Sequence, residues 1–146
     1  MTTGNGIRRE FRPRVPRDAA EARARVAAVL TGRTTGAGGA GDGGVPSSSA
    51  VGDALLVTSE LVTNAFRHGG GLTGFDVALG RAAVTISVAD ASDELPRRAE
   101  HWSPERAVEL AEGGFGWPLV RLLALEVRLR LPPEGGKTIE VRLPLR

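Results

Sequence analysis

Apolar residues recur at helical spacing in three stretches of this chain and at alternate positions in four others. Over residues 19–30, Ala22, Val26, Val29 and Leu30 share one side of a helical wheel otherwise rich in Ala and Arg. That spacing predicts an amphipathic helix. Asp18 stands where an N-cap belongs, Glu21 gives a capping-box-like start, and Gly32 ends the segment. Over residues 49–67, a second helix gathers Ala54, Leu55, Leu61, Val62, Ala65 and Phe66 on one broad arc. Asp53, Glu60, Thr63, Asn64, Arg67 and His68 take the other arc, and Gly69, Gly70 and Gly71 stop the helix.

The alternating stretches read as strands. Residues 75–79 and 83–90 flank the turn at Gly80 and Arg81, with Val84, Ile86 and Val88 inward, and predict a hairpin. Residues 126–131 and 137–143 predict two more strands around the turn 132–136, and 7–12 a poorly alternating first strand. A third helix is expected over 118–125 through Leu119, Leu122 and Leu123, since proline is tolerated in a first helical turn. Residues 104–111 suggest a short helical stretch. Segment 32–49 is nearly all small and polar, with too little apolar surface to offset chain entropy, and reads as a flexible insertion. Helices that precede and interrupt a mostly antiparallel sheet predict an α+β fold. The expectation is a two-layer α/β sandwich with helices on one face, over a single domain spanning 1–146.

Composition narrows the class without naming it. An apolar fraction of 41% and a charged fraction of 25% suit a globular domain. No apolar run reaches the length of a membrane span, no leader-like core stands at the start, and cysteine is absent. From these features a cytoplasmic protein is expected. The pI near 10.3 reflects arginine more than charge, because the formal net charge is only +2. Arg8, Arg9, Arg12, Arg14 and Arg17 form a basic cluster without interleaved aromatic residues, so direct nucleic-acid binding is not expected.

Candidate chemistry begins on the second helix. Glu60, Asn64 and His68 recur every four residues, which aligns a carboxylate, an amide and an imidazole along one stripe. Such a stripe can activate a hydroxyl and hold a divalent cation, although any surface helix carries a polar arc. Asp90 closes an apolar strand and is followed by the small residues Ala91 and Ser92. Its carboxylate can accept from an exocyclic amine such as that of adenine, or cap its own loop. Gly113, Gly114 and Gly116 precede the third helix, where backbone N–H groups can meet an anion. Gly135-Gly136-Lys137-Thr138 opens a strand and lacks the glycine spacing of a Walker A loop. Two histidines in unlike contexts and no cysteine speak against a zinc site.

In fixed order, Glu60-x-x-x-Asn64, Asp90-x-Ser92, Gly114-x-Gly116 and Gly136-Lys137-Thr138 resemble the histidine-kinase-like (GHKL, Bergerat-fold) ATPases. The resemblance covers roughly residues 8–144, and Ser59 to Gly69 is most similar to the anti-sigma-factor serine/threonine kinases of bacteria. The resemblance implies ATP and Mg²⁺ as cofactors, with Asn64 as the metal residue and Glu60 as the general base. Asp90 would accept from the adenine amine, Gly114 and Gly116 would meet phosphate, Thr138 would sit near the adenine end, and His68 and Ser92 would support the pocket. Residues 91–113 would form a lid over ATP. The implied partners are a sigma factor and an anti-sigma-factor antagonist, with no direct nucleic-acid or membrane contact, and members of the group often form homodimers. The sequence departs from the family pattern at Ser92, where glycine is common, at Glu112, where a basic residue is common, and at Trp117 and Pro118. Those departures carry an alternative reading, a nucleotide-sensing interaction module with weak or no catalysis.

Overall fold

The structure, a computed structural model, describes residues 14–32, 45–93 and 116–146. Helix α1 (Ala19–Leu30) and helix α2 (Ser48–His68) come first, followed by strands β1 (Leu72–Leu79) and β2 (Ala83–Asp90). Helix α3 (Gly116–Leu123) then leads to strands β3 (Glu126–Arg130) and β4 (Lys137–Pro144). The strands form one four-stranded sheet in the order β1-β2-β4-β3, and every pairing is antiparallel. This is an α+β fold. The expected strand over 7–12 and the short helix over 104–111 lie outside the described residues.

The sheet's inner face is built in rows. Val77, Ile86, Val141 and Val127 pair across all four strands, and so do Phe75, Val88, Ile139 and Leu129. Beyond the second row, the register places Leu72, Asp90 and Lys137 side by side. The apolar face therefore continues without a break into a polar row. Thr73 is the extra residue of an irregularity in β1, where Leu72 pairs with Asp90 but Gly74 pairs with Ala89.

Ala22, Val26 and Leu30 of α1 and Ala54, Val57, Leu61, Val62 and Ala65 of α2 close over these rows, joined by Val120 of α3. The alanines at the helix contacts let the two long helices approach closely. Helix α2 is capped by Ser47, whose Oγ accepts from Ala50 N at 3.1 Å. Its far end closes where the Ala65 carbonyl accepts from both Gly69 N and Gly71 N, each at 3.0 Å. Gly70 and Gly71 then turn through positive φ of 70° and 108°, a region open to glycine.

Several expectations change in detail. Phe66 is 45% exposed although the wheel placed it with the apolar arc, and Leu122 is 80% exposed. Helix α3 runs two residues earlier at each end than expected, starting at Gly116. At the start of α1, Asp18 Oδ1 accepts from Glu21 N at 2.8 Å, as a cap should. The reciprocal half of the capping box is replaced, because Glu21 turns to Arg17 at 3.1 Å and Arg25 at 3.3 Å.

Candidate functional site

The stripe on α2 does not lie in a solvated arc. Glu60 is 8% exposed, Asn64 is half-buried, and only His68, at the last turn, is exposed. The buried residues of α2 explain this gradation. Val57, Leu61 and Ala65 define the covered side, and Glu60 and Asn64 sit at its rim, one turn from Val57 and from each other. His68 continues the stripe past the end of the cover. A carboxylate at such a rim is shielded from water on one side, which strengthens its interactions with whatever approaches on the other. One residue before Glu60, Ser59 Oγ donates to Leu55 O at 2.9 Å and accepts from Arg23 Nη1 at 3.0 Å, tying α1 to this part of α2.

Asp90 is the better-defined feature. Its side chain is 6% exposed and meets Lys137 Nζ at 3.0 Å through Oδ1 and at 2.9 Å through Oδ2. Oδ1 also accepts from Ser92 N at 3.0 Å, so Asp90 caps its own turn as well. A buried charge needs a partner, and the cross-strand register supplies one. Lys137 is 6% exposed, and its third contact is a long one, 3.4 Å to Ser92 O.

Glycines let the backbone close in around this pair. A Cβ on Gly69 would stand 2.6 Å from both Cγ and Oδ2 of Asp90, and Ala91 N donates to Gly69 O at 2.9 Å. The end of α2 is thereby fastened to the end of β2. A Cβ on Gly136 would collide with the carbonyl oxygen of Asp90, while Gly136 N donates to Asp93 Oδ1 at 2.8 Å.

A cleft of about 660 Å³ opens at this end of the sheet, lined by Asp90, Asp93, Glu134, Gly136, Lys137 and Thr138 among others. Its size falls in the range of small-molecule sites. With three carboxylates against one ammonium in that lining, it suits the donor groups of a base or a sugar and repels a polyphosphate. Glu60, Asn64 and His68 do not line it. A shallower hollow of about 240 Å³ lies on the outer face of the sheet, over Thr85, Glu126, Arg128, Glu140 and Arg142. Three of the four charges lining it pair with neighbours, Arg128 with Glu126 at 2.8 Å and Glu140 with Arg130 at 3.4 Å.

The sequence-derived residues fall into place unevenly. Asp90, Ser92 and the end of α2 meet at one site. Thr138 pairs with Ala89 and alternates with the buried Lys137 and Ile139, so its side chain belongs to the outer face while Lys137 faces the same way as Asp90. Gly116 begins α3. Gly114, Glu112 and most of the 91–113 segment lie outside the described residues. Trp117 is half-buried and packs against the core cluster. Lys137 and Gly69 were read only as motif letters and a helix stop. The signal that finds them is register, because Asp90 and Lys137 occupy the inward phase of strands that pair.

The residues present fit a nucleotide at the base end, where a built acceptor, a glycine-lined approach and a cleft coincide. Among the described residues, no group of three or more His, Asp or Glu could hold a metal ion alone. A divalent cation at Asn64 would therefore take most of its ligands from phosphate oxygens. No helix among the described residues is long and apolar enough to cross a membrane.

Comparison with known families agrees with this fold. A family model described as a histidine kinase-like ATPase domain matches residues 13–143. No curated protein matches the chain.

Proposed function

Because the chain belongs to the family of histidine kinase-like ATPase domains, whose members bind ATP, we propose that it is an ATP- and Mg²⁺-dependent serine/threonine protein kinase of the anti-sigma-factor type. In this reading it modifies an antagonist protein and holds a sigma factor according to the antagonist's state. The observation that carries it is the buried carboxylate of Glu60, one turn before Asn64, on the helix whose end is fastened to Asp90.

The roles follow from chemistry. ATP, when bound, would supply its terminal phosphoryl group to the serine oxygen, the bond from that phosphorus to the bridging oxygen breaking and ADP leaving. A serine hydroxyl is a weak nucleophile, and Glu60, shielded on one side, takes its proton. Asn64 would offer an uncharged amide oxygen to the cation, Asp90 would accept from the base, and Gly116 would present the N-terminus of α3 to phosphate. His68, exposed beyond Asn64, borders the site without touching the transferred proton.

One observation favours the second reading, a nucleotide sensor without transfer. Pro118 is the third residue of α3, and proline has no N–H to donate. The first turn of that helix therefore offers one donor fewer to a phosphate.

Radiolabelled ATP, Mg²⁺ and candidate antagonist proteins separate the two readings. The kinase reading expects transfer to serine by the wild type, a loss of about 10²–10⁴-fold in Glu60→Gln, and unchanged nucleotide affinity in that variant by calorimetry. Transfer by the wild type no faster than by Glu60→Gln, with ATP still bound, leaves the sensor.

A further inference from the structure

We propose that strand β3 is an interface between two copies of this chain, which pair edge to edge about a two-fold axis through Arg128 and join their four-stranded sheets into one. The inference is independent of the nucleotide reading above.

The strand order β1-β2-β4-β3 leaves β3 at one edge, and among the described residues it pairs with β4 alone. Every second residue of such a strand turns its N–H and C=O away from the sheet, toward whatever lies beside it. The cover over the inner face also thins here. Along one row Val88 and Ile139 are buried, at 3% and 7% exposure, whereas Leu129 on β3 is 41% exposed. Leu125 and Leu131, which flank the strand in the same phase, are each 58% exposed. Natural edges are commonly protected by a proline, a bulge or an inward charge. Strand β3 has none of these. Its inward positions, Val127 and Leu129, are apolar, and its register with β4 runs unshifted from Glu126 to Arg130.

The sequence of the edge identifies the occupant. Leu125-Glu126-Val127-Arg128-Leu129-Arg130-Leu131 alternates apolar and charged residues symmetrically about Arg128. Any half-covered strand alternates, and the sign of the charges is what distinguishes this one. In an antiparallel pairing centred on Arg128, Glu126 stands opposite the partner's Arg130, and the two-fold axis repeats that match at the other end. On the inner face Val127 meets the partner's Leu129, and Leu125 meets the partner's Leu131. An axis perpendicular to the sheet keeps both inner faces on the same side, so the apolar rows of the two protomers run on into one another. The one like-charged match is Arg128 with its own copy on the axis, and each Arg128 is held by its own Glu126 at 2.8 Å. The side chains of Glu126, Arg128 and Arg130 are 44%, 61% and 63% exposed, so they can meet a partner without uncovering a buried group.

Sedimentation of the full chain between about 1 µM and 1 mM tests the inference. An edge pairing this short lies at the small end of specific interfaces, so the dimer should be weak, with a dissociation constant on the order of 10–100 µM. Glu126→Arg and Arg130→Glu each set like charges opposite one another at both ends of the pairing, and each alone should weaken association about tenfold. An equimolar mixture of the two, and the Glu126→Arg/Arg130→Glu double variant, put opposite charges back at those positions and should recover most of the loss. A wild type that stays monomeric throughout overturns the inference. So does a dimer whose constant the single variants leave unchanged, which places the contact on another face. Weakening that neither the mixture nor the double variant recovers overturns the register about Arg128 and the inference with it. A monomer whose outward β3 amides are protected from hydrogen exchange assigns the edge to another segment of this chain, and overturns it as well. Should either single variant fail to fold, the wild-type constant and the double variant decide.

Discussion

The backbone of Gly69 lies against the carboxylate of Asp90, so close that a methyl group on Gly69 would stand 2.6 Å from Cγ and Oδ2. The φ of Gly69 is −97°, a value any residue can adopt. The glycine is thus required by contact and not by backbone conformation. Gly69→Ala should push Asp90 off Lys137 or lift the end of α2 from β2. Overpacking of this kind costs about 1–3 kcal/mol. Chemical denaturation should show that loss, and nucleotide affinity should fall with it. A Gly70→Ala control, where the nearest atom to an added Cβ is 3.7 Å away, should lose stability through its positive φ with a smaller effect on affinity.

The Asp90–Lys137 pair predicts a non-additive double-mutant cycle. Both side chains are nearly fully buried, at 6% and 7% exposure. Removing one partner strands the other charge, at a cost of about 3–5 kcal/mol. Asp90→Leu with Lys137→Met extends the apolar rows of Val88 and Ile139 by one step and should recover most of that loss. Urea denaturation of the two single variants and the double one measures the coupling. The stable double variant should bind no purine nucleotide, which separates the pair's role in folding from its role in recognition.

The elements were legible because their periodicities were clean. Val84, Ile86 and Val88 alternate inward as expected, and Ala22, Val26 and Leu30 are buried at their helical spacing. Errors arose where burial depends on partners that spacing does not contain. Phe66 and Leu122 are apolar yet exposed, while Glu60 is polar yet buried, because the width of a covered arc is set by neighbouring elements. Asp90 was recognised as an acceptor from its place at a strand end. Its lysine partner lies 47 residues away in sequence, and only the pairing of β2 with β4 brings them together.

Acid should weaken the start of α1 in a defined direction. The hydrogen bond from Arg17, opposed by partial desolvation and aided by the charge of Arg17, holds the Glu21 carboxyl below its ordinary value. Folding therefore favours the ionised form. The pair's contribution is complete above the unfolded-state value and disappears as pH falls through the lower folded-state value. Glu21→Gln should be slightly less stable than the wild type at neutral pH, and the gap should close below the carboxylate range. Added salt should narrow it at neutral pH too, because the Arg17 side chain is 89% exposed.

Helix α3 offers the sharpest contrast between sequence appearance and structural weight. Leu119, Leu122 and Leu123 looked equivalent in the sequence, yet Leu122 is 80% exposed whereas Val120, not counted among them, is fully buried. Over a helix, residues two apart face away from each other, so Val120 and Leu122 cannot both meet the core. Leu122→Ser should change stability by no more than about 0.5 kcal/mol, as a surface replacement does. Val120→Ala removes buried apolar volume beside Trp117 and the core rows. Two methyl groups lost from a closed interior cost about 1–3 kcal/mol, counting transfer and the residual cavity. Because α3 carries the phosphate-facing N-terminus in the proposed function, Val120→Ala should also loosen nucleotide binding, measured by calorimetry, while Leu122→Ser should leave it unchanged. Equal effects from the two substitutions would place the buried face of α3 elsewhere.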